Sequence, residues 1–251
     1  MKTEQVFDLY SGKYTEKFNS NPVVMYQRQI VHEIIKPTLS NAMTLLDVGC
    51  GPGSDFEYYK NFNVNVTAID ISPQMVQLAK NRADSIQLSA KIYNSSLESF
   101  ETENKFDVIV LNFGVINVFK NIYESLHKLE RLLNSSGRLY IISMPPFHLY
   151  FIFEKIFRFQ FKQLYHRLLL KKAILDNGFE FYYYSRNDFN ENFKIKKIVN
   201  LCSILPTPDQ YIHYKLLRLF FKICWKLDKR IGNYLPALFG GDHILFVLEK
   251  K

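Results

Sequence analysis

The chain has 251 residues, of which 47% are hydrophobic and 16% aromatic, with 32 Lys and Arg against 24 Asp and Glu for a formal net charge of +8. That length suits one domain with insertions better than two, and three scattered cysteines (Cys50, Cys202 and Cys224) exclude a disulfide framework or a zinc cage. No apolar run reaches the roughly 18 residues needed to span a bilayer, and the polar start Met1–Gln5 has no apolar core to follow, so a reducing, cytoplasmic setting is expected.

The charge is unevenly placed. Residues 1–144 carry 14 basic and 15 acidic side chains, net −1; residues 145–251 carry 18 and 9, net +9. A basic half attracts nucleic acid or anionic lipid without sequence specificity, or is simply solvated surface.

Phe7, Tyr10, Tyr14 and Phe18 recur at helical spacing and predict an N-terminal helix over 4–18. Asn21-Pro22 is cap chemistry for a second helix, which Pro37 stops. Residues 1–40 thus read as a helical lid. A short apolar strand, 44–49, contains Asp47 and runs into Gly49, Gly51 and Gly53. A helix is expected over 53–61 and a second strand over 65–70, ending in Asp70. Glycine in such a turn lets the backbone approach a ligand and adopt positive φ. Two strand-end carboxylates flanking a glycine turn suit an adenosine-type ligand, with Asp70 placed to accept from both ribose hydroxyls. The spacing is G-x-G-x-G rather than the G-x-G-x-x-G of a pyrophosphate binder. Asp47, two residues before the first glycine, disfavours a phosphate and favours a cationic or amino-bearing ligand.

Ser72-Pro73 caps a helix over 73–82. Strands follow near 90–94 and 106–111, then a helix over Lys120–Leu133 and a turn at Ser135-Ser136-Gly137 into a fifth strand, 138–144. Strands alternating with helices at this spacing predict a parallel sheet. After Met144-Pro145-Pro146 comes an aromatic and basic insertion, His148 to Lys172, within a segment spanning 147–178. A short strand is expected over 179–184, a turn at Ser185–Asn187, a sixth strand over 193–200 and a seventh over 243–249. A second insertion, 204–240, contains Lys215, Arg218, Lys222, Lys226 and Lys229 at steps of three and four, along one helical face. Opposite them lies a broad apolar face with Trp225, Phe220 and Phe221. That pattern fits a helix lying in an anionic membrane surface over 211–230, or a helix packed on the core with a solvated basic edge.

Leu45–Gly53 and then Ala68-Ile69-Asp70-Ile71-Ser72-Pro73-Gln74-Met75 resemble the first two cofactor motifs of class I S-adenosylmethionine-dependent methyltransferases. Phe106–Leu111 resembles that family's fourth strand, and Leu132–Ser143 its fifth-strand turn, with Ser136 in place of the first glycine. Asn112-Phe113-Gly114-Val115-Ile116-Asn117 is similar to a subgroup with N-F-G-x-x-N after the fourth strand, which also carries a D-H before its last strand, here Asp242-His243. The likeness is specific over about Asn21 to Met144 and looser beyond.

The resemblance implies an α/β, Rossmann-like, seven-stranded and mostly parallel sheet with helices on both faces, an antiparallel last strand, and helical insertions after strands five and six. It implies S-adenosylmethionine as cofactor, with S-adenosylhomocysteine as product and no metal. Carried onto this chain, the cofactor residues are Tyr14, Arg28, Asp47, Gly49, Cys50, Gly51, Gly53, Asp70, Ile71, Met75, Ser96, Leu97, Asn112, Phe113 and Asn117. Arg28 stands where relatives reach the methionine carboxylate, or is a surface charge. Ser96 replaces the acid that faces the adenine amine. Asn112 is expected to face the methyl and Asn117 the mouth of the acceptor site. His148 is the candidate base or a plain lid residue, and His243 a structural partner of Asp242. The expected activity is methyl transfer to a small hydrophobic, aromatic or lipid-like acceptor, with no nucleic-acid partner. The alternatives are a nucleic-acid or protein methyltransferase and a nonenzymatic cofactor-binding protein.

Overall fold

The computed structural model describes residues 4–5, 7–8, 20–174, 178–213, 218–235 and 240–251. In chain order it contains α1 (Pro22–Ile35), β1 (Thr44–Val48), α2 (Phe56–Lys60), β2 (Asn65–Asp70), α3 (Pro73–Ser85), β3 (Ala90–Asn94), β4 (Phe106–Leu111), α4 (Ile122–Leu132), β5 (Leu133–Ser143), α5 (Leu149–Phe157), α6 (Phe161–Leu168), β6 (Lys172–Ile174), β7 (Glu180–Tyr182), β8 (Phe193–Leu201), α7 (Pro208–His213), α8 (Arg218–Ile231) and β9 (His243–Lys250).

Seven strands form one sheet in the order β3-β2-β1-β4-β5-β9-β8. The pairs from β3 to β5 are parallel, and β9 runs antiparallel to both β5 and β8. This is the expected Rossmann-like architecture. Successive side chains on a strand point to opposite faces, and the apolar runs exploit both. Leu45, Val108, Val110, Tyr140 and Ile142 enter one buried cluster with Val23, Ile30, Ile35 and Ala79. Leu46, Ile109, Leu111, Leu139 and Ile141 enter another with Leu126 and Leu129 of α4. Continuous hydrophobicity along these strands is what a sheet covered on both faces requires.

The caps behave as their residues dictate. Asn21 Oδ1 accepts from Val23 N at 2.9 Å, and Ser72 Oγ accepts from Met75 N at 3.1 Å. Each is followed by proline at the first helical position, where no donor is missed.

Four expectations need correction. The helix sought over 53–61 is only α2, because Cys50–Ser54 are spent in turns, with Gly53 N bonded to Cys50 O and Phe56 N to Gly53 O. The fifth strand begins at Leu133, not 138. Leu133 is fully buried opposite Phe106, and the register then jumps to Val108↔Arg138, so Ser135 and Ser136 sit in a bulge rather than a turn. The strand at 180–182 pairs with an unforeseen partner, β6, in a separate two-stranded sheet. The turn at Ser185 opens a short 3-10 helix, with Ser185 and Asp188 capping each other.

Candidate active site

In an open parallel sheet, ligands lie beyond the carboxyl ends of the strands. A cavity of about 540 Å³ lies there, bordered by the ends of β1, β2 and β4. Its floor is the glycine turn. Gly49 N and Cys50 N donate to Ile69 O at 2.8 and 3.1 Å, which fixes the turn against β2. Asp70 completes the fixation: Oδ2 accepts from Gly51 N at 2.8 Å and Oδ1 from Ser72 N at 2.9 Å. Burial raises the Asp70 pKa, and the two backbone donors oppose that rise. Each carboxylate oxygen keeps a second lone pair for a ligand.

The glycines divide the labour. All three have positive φ. A Cβ on Gly49 would strike Val115 at 2.5 Å and one on Gly53 would strike the Phe56 ring at 2.7 Å, so both serve packing. A Cβ on Gly51 would meet no protein atom within 4 Å. Gly51 alone of the three keeps open space, and it lies on the cavity wall.

Beyond β2 and β3 the wall is Ile71, Met75, Ser95, Ser96, Leu97 and Glu98. Asn94 steadies this corner by donating to Asp70 O and Ile71 O. Ser96 Oγ is engaged with Ser99. Position 96 carries no acid, and Glu98 lies on the same wall. Beyond β4 and β5 the wall turns apolar, with Phe113, Val115, Val118, Phe119, Met144 and Phe181. Phe7 of the N-terminal segment also lines it and meets Phe179 edge-on. Tyr14, Tyr10 and Phe18 lie outside the described residues.

Polar groups reach the cavity from α1, β4 and the start of β9: Gln27, Arg28, Asn112 and His243. Arg28 and Asn112 are organised from behind by Asp55, and Gln27 and His243 by Asp242. Asp55 Oδ2 pairs with Arg28 and accepts from Asn112 Nδ2 at 2.8 Å, and its Oδ1 meets His32 Nε2 at 2.7 Å. Burial works to raise the Asp55 pKa, but the Arg28 guanidinium and His32 outweigh it and hold the carboxyl well below the usual range. Asp47 behaves oppositely. Burial, reinforced by the charge on Asp55, pushes its pKa well up, and Oδ1 has no partner among the described residues.

Of the residues expected at the cofactor, Arg28, Gly49, Gly51, Asp70, Ile71, Met75, Ser96, Leu97, Asn112 and Phe113 line the cavity. Asp47, Cys50 and Gly53 stand behind it. Asn117 is corrected: it is fully buried and closes no mouth. Its Oδ1 accepts from Met144 N at 2.8 Å, and its Nδ2 donates to Met144 O and Tyr182 O at 3.0 and 2.6 Å, tying β5 to β7. His148 is corrected too. It is fully buried away from the cavity wall, and burial pushes its imidazole down to about 4. His243 does make its expected contact, Nδ1 to Asp242 Oδ2 at 3.0 Å, but it also faces the cavity. Asp55, Gln27, His32 and Glu98 carried no sequence signal beyond being polar. No group of His, Cys, Asp and Glu able to hold a metal occurs among the described residues.

The family model described as "Methyltransferase domain" matches residues 39–177. An uncharacterized protein of Methanocaldococcus jannaschii is 25% identical over 175 residues, 70% of this chain and 64% of its own length. A ubiquinone biosynthesis O-methyltransferase of Pelagibacter ubique is 30% identical over 142 residues, 53% of this chain and 58% of its own. The chain thus spans less than two thirds of the length of these curated relatives. The N-methyltransferase NodS of Bradyrhizobium japonicum, solved with S-adenosylhomocysteine, superposes with a TM-score of 0.63 at 13% identity over 100% of this chain and 99% of its own. The family model covers more than half the sequence and includes the glycine turn, Asp70 and Asn112: the chain belongs to the methyltransferase-domain family, the class I S-adenosylmethionine-dependent methyltransferases.

Proposed function

We propose that the protein transfers a methyl group from S-adenosylmethionine to a small apolar acceptor at the surface of an anionic membrane. One observation carries the transfer: a single cavity joins the glycine and acid end, at β1 and β2, to an apolar end at Phe113, Phe119, Met144 and Phe181. The residues fit the cofactor. Asp70 has lone pairs for the ribose hydroxyls, Gly51 leaves the room a ligand backbone needs, and Ile71, Met75 and Leu97 give the adenine apolar walls, with Ser96 and Glu98 near its amine. Arg28 is the cation for the methionine carboxylate, held in place by Asp55. Asp47, which holds its proton tightly in the ligand-free protein, would be drawn toward its charged form by a nearby cation, and Asn112 and Phe113 stand between the two ends. The bound sulfonium supplies an already activated methyl, so alignment provides much of the rate.

The names of two relatives, the ubiquinone biosynthesis O-methyltransferase and a demethylmenaquinone methyltransferase of Tropheryma whipplei (36% identical over 98 residues), support an apolar acceptor. The membrane part rests on α8. Phe221 and Cys224 pack inward, while Leu219 (74% exposed), Phe220 and Ile223 face out beside Lys222 and Lys226. The apolar face expected there is therefore split between core and surface. Lys215 is outside the described residues. The α5–α6 hairpin adds Phe157 (86% exposed) and Phe159 (81%). Exposed aromatic and aliphatic side chains edged by lysine suit an interfacial helix, and each such cation adds about 1 kcal/mol near an anionic leaflet. No helix among the described residues is long and apolar enough to cross a membrane.

Calorimetry with S-adenosylhomocysteine tests the cofactor: micromolar binding supports the proposal, and retention of a pyridine nucleotide instead refutes it. Sedimentation with phosphatidylglycerol vesicles tests the membrane part. The protein is expected to pellet, and Lys222, Lys226, Lys229 and Arg230 changed together to Gln should leave it in the supernatant. A wild type that never pellets removes the membrane from the reading.

A further inference from the structure

We propose that His243, oriented by Asp242, is the base that takes the proton from the acceptor, and that the acceptor is therefore a phenolic hydroxyl. The inference rests on the methyltransferase reading above and extends it to the acceptor atom.

Topology puts this pair at the reacting end. His243 opens β9, paired with Leu201 at the end of β8, and its neighbour Ile244 pairs with Ser143 at the end of β5. Its ring meets Phe113 edge-on at 5.7 Å, and Phe113 carries the Arg28 guanidinium over its face at 4.8 Å. Phe113 is held at φ +47° and Gly114 at +83°. A left-handed aromatic costs energy, and such strain persists where surrounding structure enforces it. Phe113 thus stands between the cation assigned to the cofactor and the imidazole.

The imidazole is set up as a base. A carboxylate only accepts, so Nδ1 is the nitrogen that donates to Asp242 Oδ2 at 3.0 Å. That places the lone pair on Nε2, which has no hydrogen-bond partner among the described residues. Asp242 is partly buried, yet the charge and hydrogen bond of His243 hold its carboxyl below the usual range. A second donor, Gln27 Nε2, reaches the same oxygen at 2.9 Å and anchors it to α1. His148, from the segment before α5, and Arg167 of α6 also face Asp242 electrostatically. Burial keeps His148 neutral, so Asp242 retains a charge with which to stabilise a protonated His243. A base oriented by a carboxylate is the arrangement by which an imidazole removes a proton from a weak nucleophile.

The chemistry balances. As the acceptor oxygen's lone pair bonds to the methyl carbon, the carbon–sulfur bond breaks with its electron pair kept by sulfur. The O–H proton passes to His243 Nε2 and later to water. A phenol, with a pKa of about 10, lies within reach of imidazole where an aliphatic alcohol does not, and the apolar walls suit its ring.

The test uses the whole chain, tritiated S-adenosylmethionine, and para-cresol and para-nitrophenol as probes. His243→Gln is expected to bind S-adenosylhomocysteine as the wild type does and to melt cooperatively, at a somewhat lower temperature because Asp242 loses its cationic partner. It should lose about 100-fold or more in kcat on para-cresol and much less on para-nitrophenol, which is largely ionised at mildly alkaline pH. Added imidazole should restore turnover to His243→Ala. Nitrogen NMR should show the Nδ1-protonated tautomer in the wild type and its loss in Asp242→Asn. Wild-type turnover of para-cresol by His243→Gln overturns the proposal, as does a wild type that binds S-adenosylhomocysteine and methylates neither phenol. Equal losses of cofactor affinity and rate would reduce His243 to a structural clamp. Failure of the wild type to bind S-adenosylhomocysteine would instead remove the methyltransferase reading beneath it.

Discussion

Asn112 donates its amide to Asp55 Oδ2 at 2.8 Å, and this bond ties the end of β4 to the residue just before α2. The same oxygen pairs with Arg28 of α1, so one carboxylate registers three elements around the cavity. Asp55→Ala removes the counter-charge of a guanidinium that is only 15% exposed. Breaking a buried pair in this way typically costs about 3–5 kcal/mol, which urea denaturation would measure. Asp55→Asn keeps the shape and loses the charge. Its expected signature is a smaller stability loss and about a tenfold weaker S-adenosylhomocysteine affinity, because Arg28 is no longer held. Unchanged affinity in both variants would separate Arg28 from the ligand.

Three acids, Asp55, Asp242 and Asp47, fall into two groups with opposite pH behaviour. Arg28 and His32 depress Asp55, and His243 depresses Asp242, in each case against burial. A depressed carboxyl contributes stability that is present above its unfolded value, near 3.9, and is lost as pH falls toward the folded value. Asp47 is raised, first by burial and then by Asp55. The folded protein holds that proton more tightly than the unfolded chain, so its cost grows as pH rises through the folded pKa. Asp47→Asn should therefore raise the melting temperature of the ligand-free protein at pH 9 by a few degrees, about 2–4 °C per kcal/mol for a chain of this size. The gain should shrink on acidification. A constant difference at all pH values would deny the raised pKa.

Gly49 and Gly51 separate folding from binding. Gly49→Ala drives a methyl into Val115 at 2.5 Å and should lower the melting temperature clearly. Gly51→Ala meets no protein atom, so only its positive φ is penalised, at about 1 kcal/mol. Its larger effect is expected on ligand affinity, since the methyl enters the cavity. If calorimetry gave Gly51→Ala wild-type affinity, the ligand would not approach the turn there.

The sheet was legible because its signals are local. Leu45–Val48, Val66–Ile69 and Phe106–Leu111 are apolar runs closed by turn residues, and Asn21-Pro22 and Ser72-Pro73 announce their helices. The glycine turn and Asp70 were legible for the same reason. Asp55 was not: an acid in a turn has no periodicity, and its importance arises when α1 brings Arg28 and His32 beside it from 27 and 23 residues away in sequence. The bulge at Ser135 has no local signature because Ser-Ser-Gly favours turns, and only the burial of Leu133 against Phe106 shows the strand starting earlier. His148 looked placed for the cleft because it follows β5. Its pairing with Gly240 turns it inward instead.

Arg167 fastens the first insertion to the sheet. Its guanidinium lies between the Phe151 and Tyr183 rings, 4.3 and 4.6 Å from their centres, and donates to Pro145 O at 2.8 Å and Pro146 O at 3.2 Å. A planar fork does both tasks at once, whereas an ammonium is a point charge that cannot. Arg167→Lys should therefore loosen α5 and α6 without melting the core. Hydrogen exchange followed by mass spectrometry should show faster exchange across 149–168 and unchanged protection in β4 and β5, since local opening and global unfolding are separable. Limited proteolysis should cut near Phe159, at the turn between the two helices. Because Pro145 and Pro146 follow the end of β5 after one residue, Met144, a loss of protection that spreads into β5 would mean that Arg167 secures the sheet as well as the insertion.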